Sequence, residues 1–306
     1  MTPILLILAG PTASGKTDVS IKLAQHWNTE IISCDSRQMY REMSIGTAKP
    51  DPAQLGLVPH HLIDNLSVHD YYSAFLFEQD VLSLLKDLFI RHSIVIMTGG
   101  TGLYMDAMLN GIDDIPDPDP EIRSMLKQRY ESEGLENLLT EISILDPEFY
   151  QQVDKKNPAR VMRGLEVCLT TGIPFSSFRV KQAVTRNFDI ILTGLELPRD
   201  LLYQRIDRRV DQMIESGLEE EARLLYPMRH LNGLNAVGYR ELFDMFDAKS
   251  DRDEAIRLIK RNTRHYAKRQ ITWNNRYPQM KYFHPDAIEE IINLVSFFDS
   301  GGDKTL

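Results

Sequence analysis

The chain is poor in the features that would staple it or place it in a membrane. Its 306 residues include only two cysteines, Cys34 and Cys168, which argues against a disulfide framework or a cysteine-built structural zinc site. No apolar run approaches the roughly 20 residues that span a bilayer. The N-terminus lacks a basic leader, so a cytoplasmic, unprocessed chain is expected. Low-complexity tracts and repeats at solenoid spacing are missing, as is the Asn-Lys-x-Asp element with which GTP switches read guanine. What remains is an ordinary globular composition, long enough for one large or two modest domains. The net charge of −9 argues against nonspecific nucleic-acid binding by the whole surface.

What is present begins at the N-terminus. Ile4-Leu5-Leu6-Ile7-Leu8 reads as a buried strand, and Gly10-Pro11-Thr12-Ala13-Ser14-Gly15-Lys16-Thr17 follows it directly, ahead of a helical pattern. Strand, Gly-x-x-x-x-Gly-Lys-Thr, helix is the order of a P-loop. Gly10 and Gly15 let the backbone curl with its N–H groups pointing inward at phosphate oxygens. Lys16 adds a positive charge, Thr17 a hydroxyl for Mg²⁺, and the helix N-terminus a partial positive charge. A second short strand, Glu30–Cys34, ends at Asp35. A third, Ser93–Met97, runs into Thr98-Gly99-Gly100, with no acid where a P-loop nucleotidase holds Mg²⁺. Asp35 is the acid at such a strand end, and three roles suit it: orienting Mg²⁺, acting as general base toward a nucleophile, or capping a turn.

Asp18–Trp27 and Tyr72–Arg91 read as helices, the second with Phe75, Leu82, Leu85 and Phe89 near helical spacing. This alternation predicts an α/β fold: a P-loop NTPase-like parallel sheet flanked by helices. Ile115-Pro116-Asp117-Pro118-Asp119-Pro120 is a stiff turn or linker. Beyond it, helical patterns cover Glu121–Glu141 and Pro158–Thr171, with Gly172 as a stop. The strand near 188–195 returns the chain to the sheet, and helices fill most of the remainder. The expected domains are a core of residues 1–121 and 187–306 and an all-helical insertion of residues 122–186.

Charge is unevenly placed. Asp113–Glu148 is acidic, whereas Lys155, Lys156, Arg160, Arg163, Arg179, Lys181 and Arg186 face only Glu166. A second basic stretch, Arg252–Lys281, includes Arg257, Arg261, Arg264 and Lys268 as one stripe of a helix over Asp253–Trp273. The opposite stripe is Ile256, Ile259, Thr263, Tyr266, Gln270 and Trp273. Solvated helix faces and a localised polyanion surface both fit. Arg205 and Arg209, four apart on one helix face, suit ion pairs with Asp207 or Asp211, or the positive charge that a pyrophosphate leaving group needs. His60-His61 reads as a pair of ordinary hydrogen-bonding histidines in a turn rather than a metal site. Cys34 reads as a small strand residue whose thiol pKa is raised by Asp35. Thr98–Gly102 fits a strand-to-helix turn or a close approach of substrate to backbone.

In order and spacing, several segments together resemble one family. They are the P-loop itself, Asp35-Ser36-Arg37-Gln38-Met39-Tyr40, Gly46-Thr47-Ala48-Lys49-Pro50, Pro59-His60-His61-Leu62-Ile63-Asp64 and Gly99-Gly100-Thr101-Gly102-Leu103-Tyr104. Arg163–Val167, Arg205–Met213, Gly238-Tyr239-Arg240 and Lys268–Trp273 continue the series. The set resembles the tRNA dimethylallyltransferases, the IPP transferase family, over about residues 5–275. The resemblance implies transfer of a dimethylallyl group from its diphosphate to N6 of the adenosine at tRNA position 37. Mg²⁺ is the implied cofactor, tRNA and dimethylallyl diphosphate are the implied partners, and no membrane or obligate protein partner is expected. The loop Gly10, Pro11, Thr12, Ala13, Ser14, Gly15, Lys16 and Thr17 would hold a diphosphate rather than a nucleoside triphosphate, which accounts for the missing acid after the third strand. By the same resemblance Asp35 takes the proton of the attacking adenine amino group, Thr12 and Arg209 act at the departing diphosphate, and Thr17 meets Mg²⁺. Asp35, Ser36, Arg37, Gln38, Thr101, Arg123, Ala159, Arg160, Val161, Met162 and Arg163 correspond to tRNA-contacting positions. The alternative is a P-loop small-molecule or nucleotide kinase, which leaves the basic segments and the helical insertion without a role.

Overall fold

An unbroken apolar run has no polar side chain to show to water, and β1 (Ile4–Ala9) is buried at every position. Each fully buried Leu or Ile contributes about 1.5–3 kcal/mol, so this strand is the natural centre of the molecule. The computed structural model describes residues 2–117, 119–179 and 184–299. Pro118 of the predicted linker and Lys181 of the first basic stretch lie outside them. The chain divides into two compact units, one of Met1–Leu109 with Thr185–Leu306 and one of Asn110–Val184.

In the first unit β1 is followed by α1 (Lys16–Trp27), β2 (Ile31–Cys34), α2 (Pro52–Leu57), β3 (His60–His61), α3 (Ala74–Arg91), β4 (Ile94–Gly99) and α4 (Gly102–Asn110). The helical unit carries α5 (Pro120–Glu133), α6 (Leu135–Leu145), α7 (Pro147–Gln152) and α8 (Pro158–Thr171). The first unit resumes with β5 (Asp189–Leu195), α9 (Arg199–Glu215), α10 (Leu218–Leu225), α11 (Tyr239–Phe246), α12 (Arg252–Asn274), β6 (Lys281–Phe283) and α13 (Ile288–Asp299). The six strands among the described residues pair in parallel, in the order β3-β2-β4-β1-β5-β6. This is the expected α/β sheet flanked by helices. No described helix is long and apolar enough to cross a membrane.

The register places the chemistry. Ala9 sits opposite Gly99, and Cys34 opposite Gly99 on the other side. The P-loop, Asp35 and Gly100 therefore leave the sheet side by side at the carboxyl ends of β1, β2 and β4, where ligands of open α/β sheets bind. The approach of β2 to β4 is tight: a Cβ on Gly99 would lie 2.1 Å from the Cys34 carbonyl oxygen.

Four sequence expectations shift. His60–His61 is a short strand rather than a turn, and β6 was not anticipated; two or three residues carry no readable alternation. The buried face of α3 is Ala74, Phe77, Glu78, Val81, Leu85 and Leu88, whereas Phe75, Leu82 and Phe89 lie at its margin. Glu78 tolerates burial because Arg186 donates to it at 2.5 Å while also bonding the carbonyls of Ala107 and Met108. The helix expected over Glu121–Glu141 is two, broken at Gly134, whose φ of 81° suits a residue without a Cβ. The core of the helical unit is Leu126, Leu138, Ile142, Phe149, Val161 and Leu165.

Candidate active site

At the carboxyl end of the sheet a cavity of about 810 Å³ is bounded by the P-loop, the Asp35–Gln38 turn, the Gly46–Ala48 loop, α9 and α12. Lys16, Arg37, Arg205, Arg208, Arg209, Arg240 and Arg269 line it, against two acids, Asp18 and Asp35. That imbalance draws a polyanion.

The P-loop is held from two directions. Lys16 donates from Nζ to the carbonyls of Gly10 (2.9 Å) and Pro11 (2.8 Å), which leaves one ammonium proton for a ligand. From α12, the Gln270 side chain accepts the Thr12 N–H at 2.8 Å and donates to the Gly100 carbonyl at 2.9 Å. The Ser14 hydroxyl is buried without a hydrogen-bond partner among the described residues, 2.8 Å from where a Gly10 Cβ would stand. Burial, reinforced by Arg209, lowers the Lys16 pKa to about 8, with Asp35 opposing the shift.

Asp35 follows β2 in a turn that its own side chain closes: Oδ1 accepts from the N–H of Arg37 (2.9 Å) and of Gln38 (3.4 Å). Oδ2 has no hydrogen-bond partner among the described residues. The carboxylate is thus oriented through one oxygen and open through the other, so turn capping and general-base chemistry coexist in one residue. Ser36 N–H donates to the Thr101 hydroxyl at 3.0 Å. The Gln38 amide donates to the carbonyls of Thr47 and Ala48, both at 3.3 Å. Burial, then Asp35, pushes the Cys34 thiol far up, so it is inert.

The α9 arginines do not pair with their neighbouring acids. Asp207 is taken by Arg264 (2.5 Å) and Asp211 by Lys260 (2.6 Å), both from α12. No carboxylate lies within 4 Å of Arg205 or Arg209 among the described residues. Arg205 stands over the P-loop, 3.7 Å from where a Gly15 Cβ would be. Burial lowers the Arg209 pKa, with Asp35 acting against the shift. Both guanidinium groups line the same cavity as the phosphate loop, and the ion pairs with Asp207 and Asp211 that the sequence allowed are not formed.

The basic stripe of α12 is partly spent within the fold. Arg252, Arg257, Lys260 and Arg264 are paired with acids, as is Arg276 just past the helix, whereas exposed Arg261, Lys268 and Arg269 have no acid within 4 Å among the described residues. In the helical unit, Arg123 and Arg163 bind the buried carboxylate of Glu166 at 2.9 and 2.8 Å. Arg163 also donates to the Pro116 carbonyl at 2.6 Å. Lys155, Lys156, Ala159 and Arg160 are exposed and Met162 is half-buried. Val161 differs from its expected place at an RNA surface: its side chain is fully buried in the helical core and its N–H is bonded to Asn157. His60 and His61 bond the Val58 carbonyl (2.8 Å) and Glu30 (2.7 Å).

Gln270 was visible in the sequence as a member of the apolar-side stripe and of the Lys268–Trp273 segment, with no role attached to it. Its bonds to two loops depend on contacts more than 150 residues away, which no local pattern encodes. Gly100 is explained by the same contact, since a Cβ there would meet Gln270 Nε2 at 2.1 Å.

Comparison with known proteins places this geometry. Residues 38–277 match the family model described as IPP transferase. The chain is 52% identical over 283 residues to tRNA dimethylallyltransferase 2 of Porphyromonas gingivalis, covering 92% of this chain and 94% of that protein. It is 49% identical over 300 residues to the tRNA dimethylallyltransferase of Christiangramia forsetii, covering 98% and 99%. Among solved structures, the tRNA isopentenylpyrophosphate transferase of Bacillus halodurans matches with a TM-score of 0.69 at 36% identity, over 95% of both chains. A eukaryotic dimethylallyltransferase captured acting on tRNA matches with a TM-score of 0.82 at 25% identity, over 100% of this chain and 81% of that one.

Proposed function

Because the chain belongs to the IPP transferase family, we propose that it transfers a dimethylallyl group from dimethylallyl diphosphate to N6 of adenosine 37 in tRNA, releasing diphosphate. The observation that supports this reading is one cavity lined by the phosphate loop, by Asp35, whose Oδ2 has no hydrogen-bond partner among the described residues, and by Arg205 and Arg209, which have no carboxylate within 4 Å among them.

The adenine amino nitrogen attacks the allylic carbon, the carbon–oxygen bond to the diphosphate breaks, and the N6 proton passes to Asp35 Oδ2. The bonding pair leaves on the diphosphate, whose charge falls on the P-loop N–H groups, Lys16 and Arg209. Donors placed in advance at a developing anion contribute about 3–4 kcal/mol each to such a step. The adenine must leave the anticodon-loop stack to reach an enclosed site. Asp35, Ser36, Arg37, Gln38 and Thr101 would receive it. From the helical unit, exposed Arg160 would meet RNA phosphates, and Arg123, Ala159, Met162 and Arg163 would contact the tRNA beside it.

No cluster of three or more His, Cys, Asp or Glu able to hold a metal occurs among the described residues. Mg²⁺ is held characteristically by one or two protein groups together with phosphate oxygens and water. The Thr17 hydroxyl fits that pattern: it lines the cavity beside Lys16 and has no hydrogen-bond partner among the described residues. Bound there, Mg²⁺ would neutralise charge on the diphosphate oxygens.

The test is direct. Purified protein, labelled dimethylallyl diphosphate and unmodified tRNA carrying adenosine at position 37 should give labelled tRNA and diphosphate. Absence of label in tRNA together with phosphate transfer from ATP would establish the kinase alternative instead.

A further inference from the structure

Glu221 lies outside the cavity, yet its carboxylate collects four donors. Oε2 accepts from the N–H of Ser44 (2.9 Å) and Ile45 (2.8 Å), and Oε1 from the N–H of Gly46 (3.0 Å) and the hydroxyl of Tyr239 (2.6 Å). Three consecutive backbone N–H groups converging on one anion form a concave nest. Here the anion is a side chain from α10, 175 residues away along the chain. Bonds to a charged acceptor are roughly twice as strong as neutral ones. Tyr239 is fully buried, and its ring packs so closely on Gly46 that a Cβ there would lie 2.5 Å away. Burial, with Glu221 beside it, keeps the Tyr239 phenol protonated and therefore a donor.

What Glu221 holds is a wall of the active site. Gly46, Thr47 and Ala48 line the cavity. The Thr47 and Ala48 carbonyls receive the Gln38 amide. Gln38 in turn gives its backbone N–H to Asp35 Oδ1. The loop stores strain that something must offset: Ala48, which has a side chain, is held at φ 47°.

We infer that Glu221 is a positioning residue, aiming Asp35 through the Gly46–Ala48 loop and Gln38. Among the described residues it makes no hydrogen bond or ion pair with the P-loop or with Asp35, Lys16 or Arg209. This inference rests on the proposed prenyl transfer for its kinetic readout only. The α10 acids Glu219-Glu220-Glu221 look in sequence like a solvated first turn favoured by the helix dipole, which hides the one that turns inward.

The experiment uses E221Q, Y239F, Q38A and the double variant of E221Q with Q38A in the full chain. E221Q keeps the shape but sets an NH₂ against N–H donors. Its kcat should fall about tenfold or more, since an error of an ångström at a reacting group costs up to about 100-fold. The KM for dimethylallyl diphosphate should stay within twofold. Y239F, which removes one donor of four, should lose about threefold in kcat by the loss of one hydrogen bond. E221Q added to Q38A should cost nothing further. Without substrate, hydrogen exchange in E221Q should quicken at residues 44–48 and also at 35–40. The inference is overturned if kcat is unchanged in both E221Q and Y239F, if the KM for the diphosphate rises in step, or if the double variant multiplies the losses. It is equally overturned if exchange quickens at 44–48 while 35–40 stays as slow as in the wild type. A wild-type protein that transfers no prenyl group counts against the proposed function, and the exchange experiment still decides the role of Glu221.

Discussion

The side-chain carbonyl of Gln270 accepts the backbone N–H of Thr12 at 2.8 Å, so a P-loop residue is fixed by a helix 258 residues further along the chain. The same amide donates to the Gly100 carbonyl at 2.9 Å. One buried side chain thus ties the ends of β1 and β4 to the basic helix α12. Gln270→Ala leaves two backbone groups without that partner and should cost about 1–3 kcal/mol in stability, read by urea unfolding. It should also weaken inorganic diphosphate binding, because Thr12 is no longer held. Gln270→Glu is closer in shape but sets oxygen against the Gly100 carbonyl and adds negative charge beside the diphosphate. It should therefore bind diphosphate more weakly than the alanine variant. Calorimetry on the two variants settles the order, and the reverse order removes the electrostatic part of the argument.

Asp35 makes a cleaner separation of roles. Asp35→Asn keeps an acceptor for the Arg37 and Gln38 N–H groups, so the turn survives, but an amide cannot take a proton. Loss of a general base costs about 10²–10⁴-fold in rate. The single-turnover rate on saturating tRNA should fall by that factor while the tRNA dissociation constant changes less than about threefold. A collapse in tRNA affinity with the rate on bound tRNA preserved would make Asp35 a binding residue instead.

Local and distant information divide the molecule. The P-loop was legible because strand, glycine spacing, lysine and helix all lie within residues 4–27. Asp35 was legible as an acid at a strand end, and Arg209 as half of an i,i+4 pair. Which acids that pair would meet was not legible, because Lys260 and Arg264 of α12 occupy Asp211 and Asp207 only after folding. The α12 stripe was readable by period, but not that Arg257 and Arg264 within it are consumed by acids. The strands β3 and β6 are too short for alternation to register. Glu221 and Gln270 bind backbone groups far away in sequence, and a periodicity argument has no access to such contacts. The order of motifs along the chain carried the family; the couplings between motifs required the fold.

The Lys16 ammonium gives the site a pH dependence of defined sign. Burial, then Arg209, lowers its pKa from the ordinary 10.5 to about 8. Between those values the unfolded chain binds more protons than the folded one, so Lys16 makes stability rise with pH from about 8 to 10.5. Below about 8 the cost of the buried charge is present in full. Ligand binding has the opposite sign, since an anion favours the ammonium. Affinity for inorganic diphosphate should fall as pH rises through about 8, beyond what the ligand's own titration contributes. Lys16→Gln should bind weakly at every pH and lose that additional slope. A wild-type slope identical to that of Lys16→Gln would show that Lys16 does not meet the ligand.

The helical unit offers a distinction that salt can read. Arg160 is exposed and has no acid within 4 Å among the described residues, whereas Arg129 is held by Glu133 at 3.5 Å and Glu141 at 2.8 Å. Each phosphate contact by a free cation releases a counterion, so the logarithm of the binding constant falls with the logarithm of salt concentration by about 0.7–0.9 per contact. Arg160→Ala should weaken tRNA binding and reduce that slope by about one contact. Arg129→Ala should leave the slope unchanged, because its charge is already answered within the fold. Filter binding of tRNA across a range of KCl concentrations measures both. Equal slopes for Arg160→Ala and the wild type would move the RNA contact away from this helix, and the exposed Arg261, Lys268 and Arg269 of α12 would then be the cations to vary.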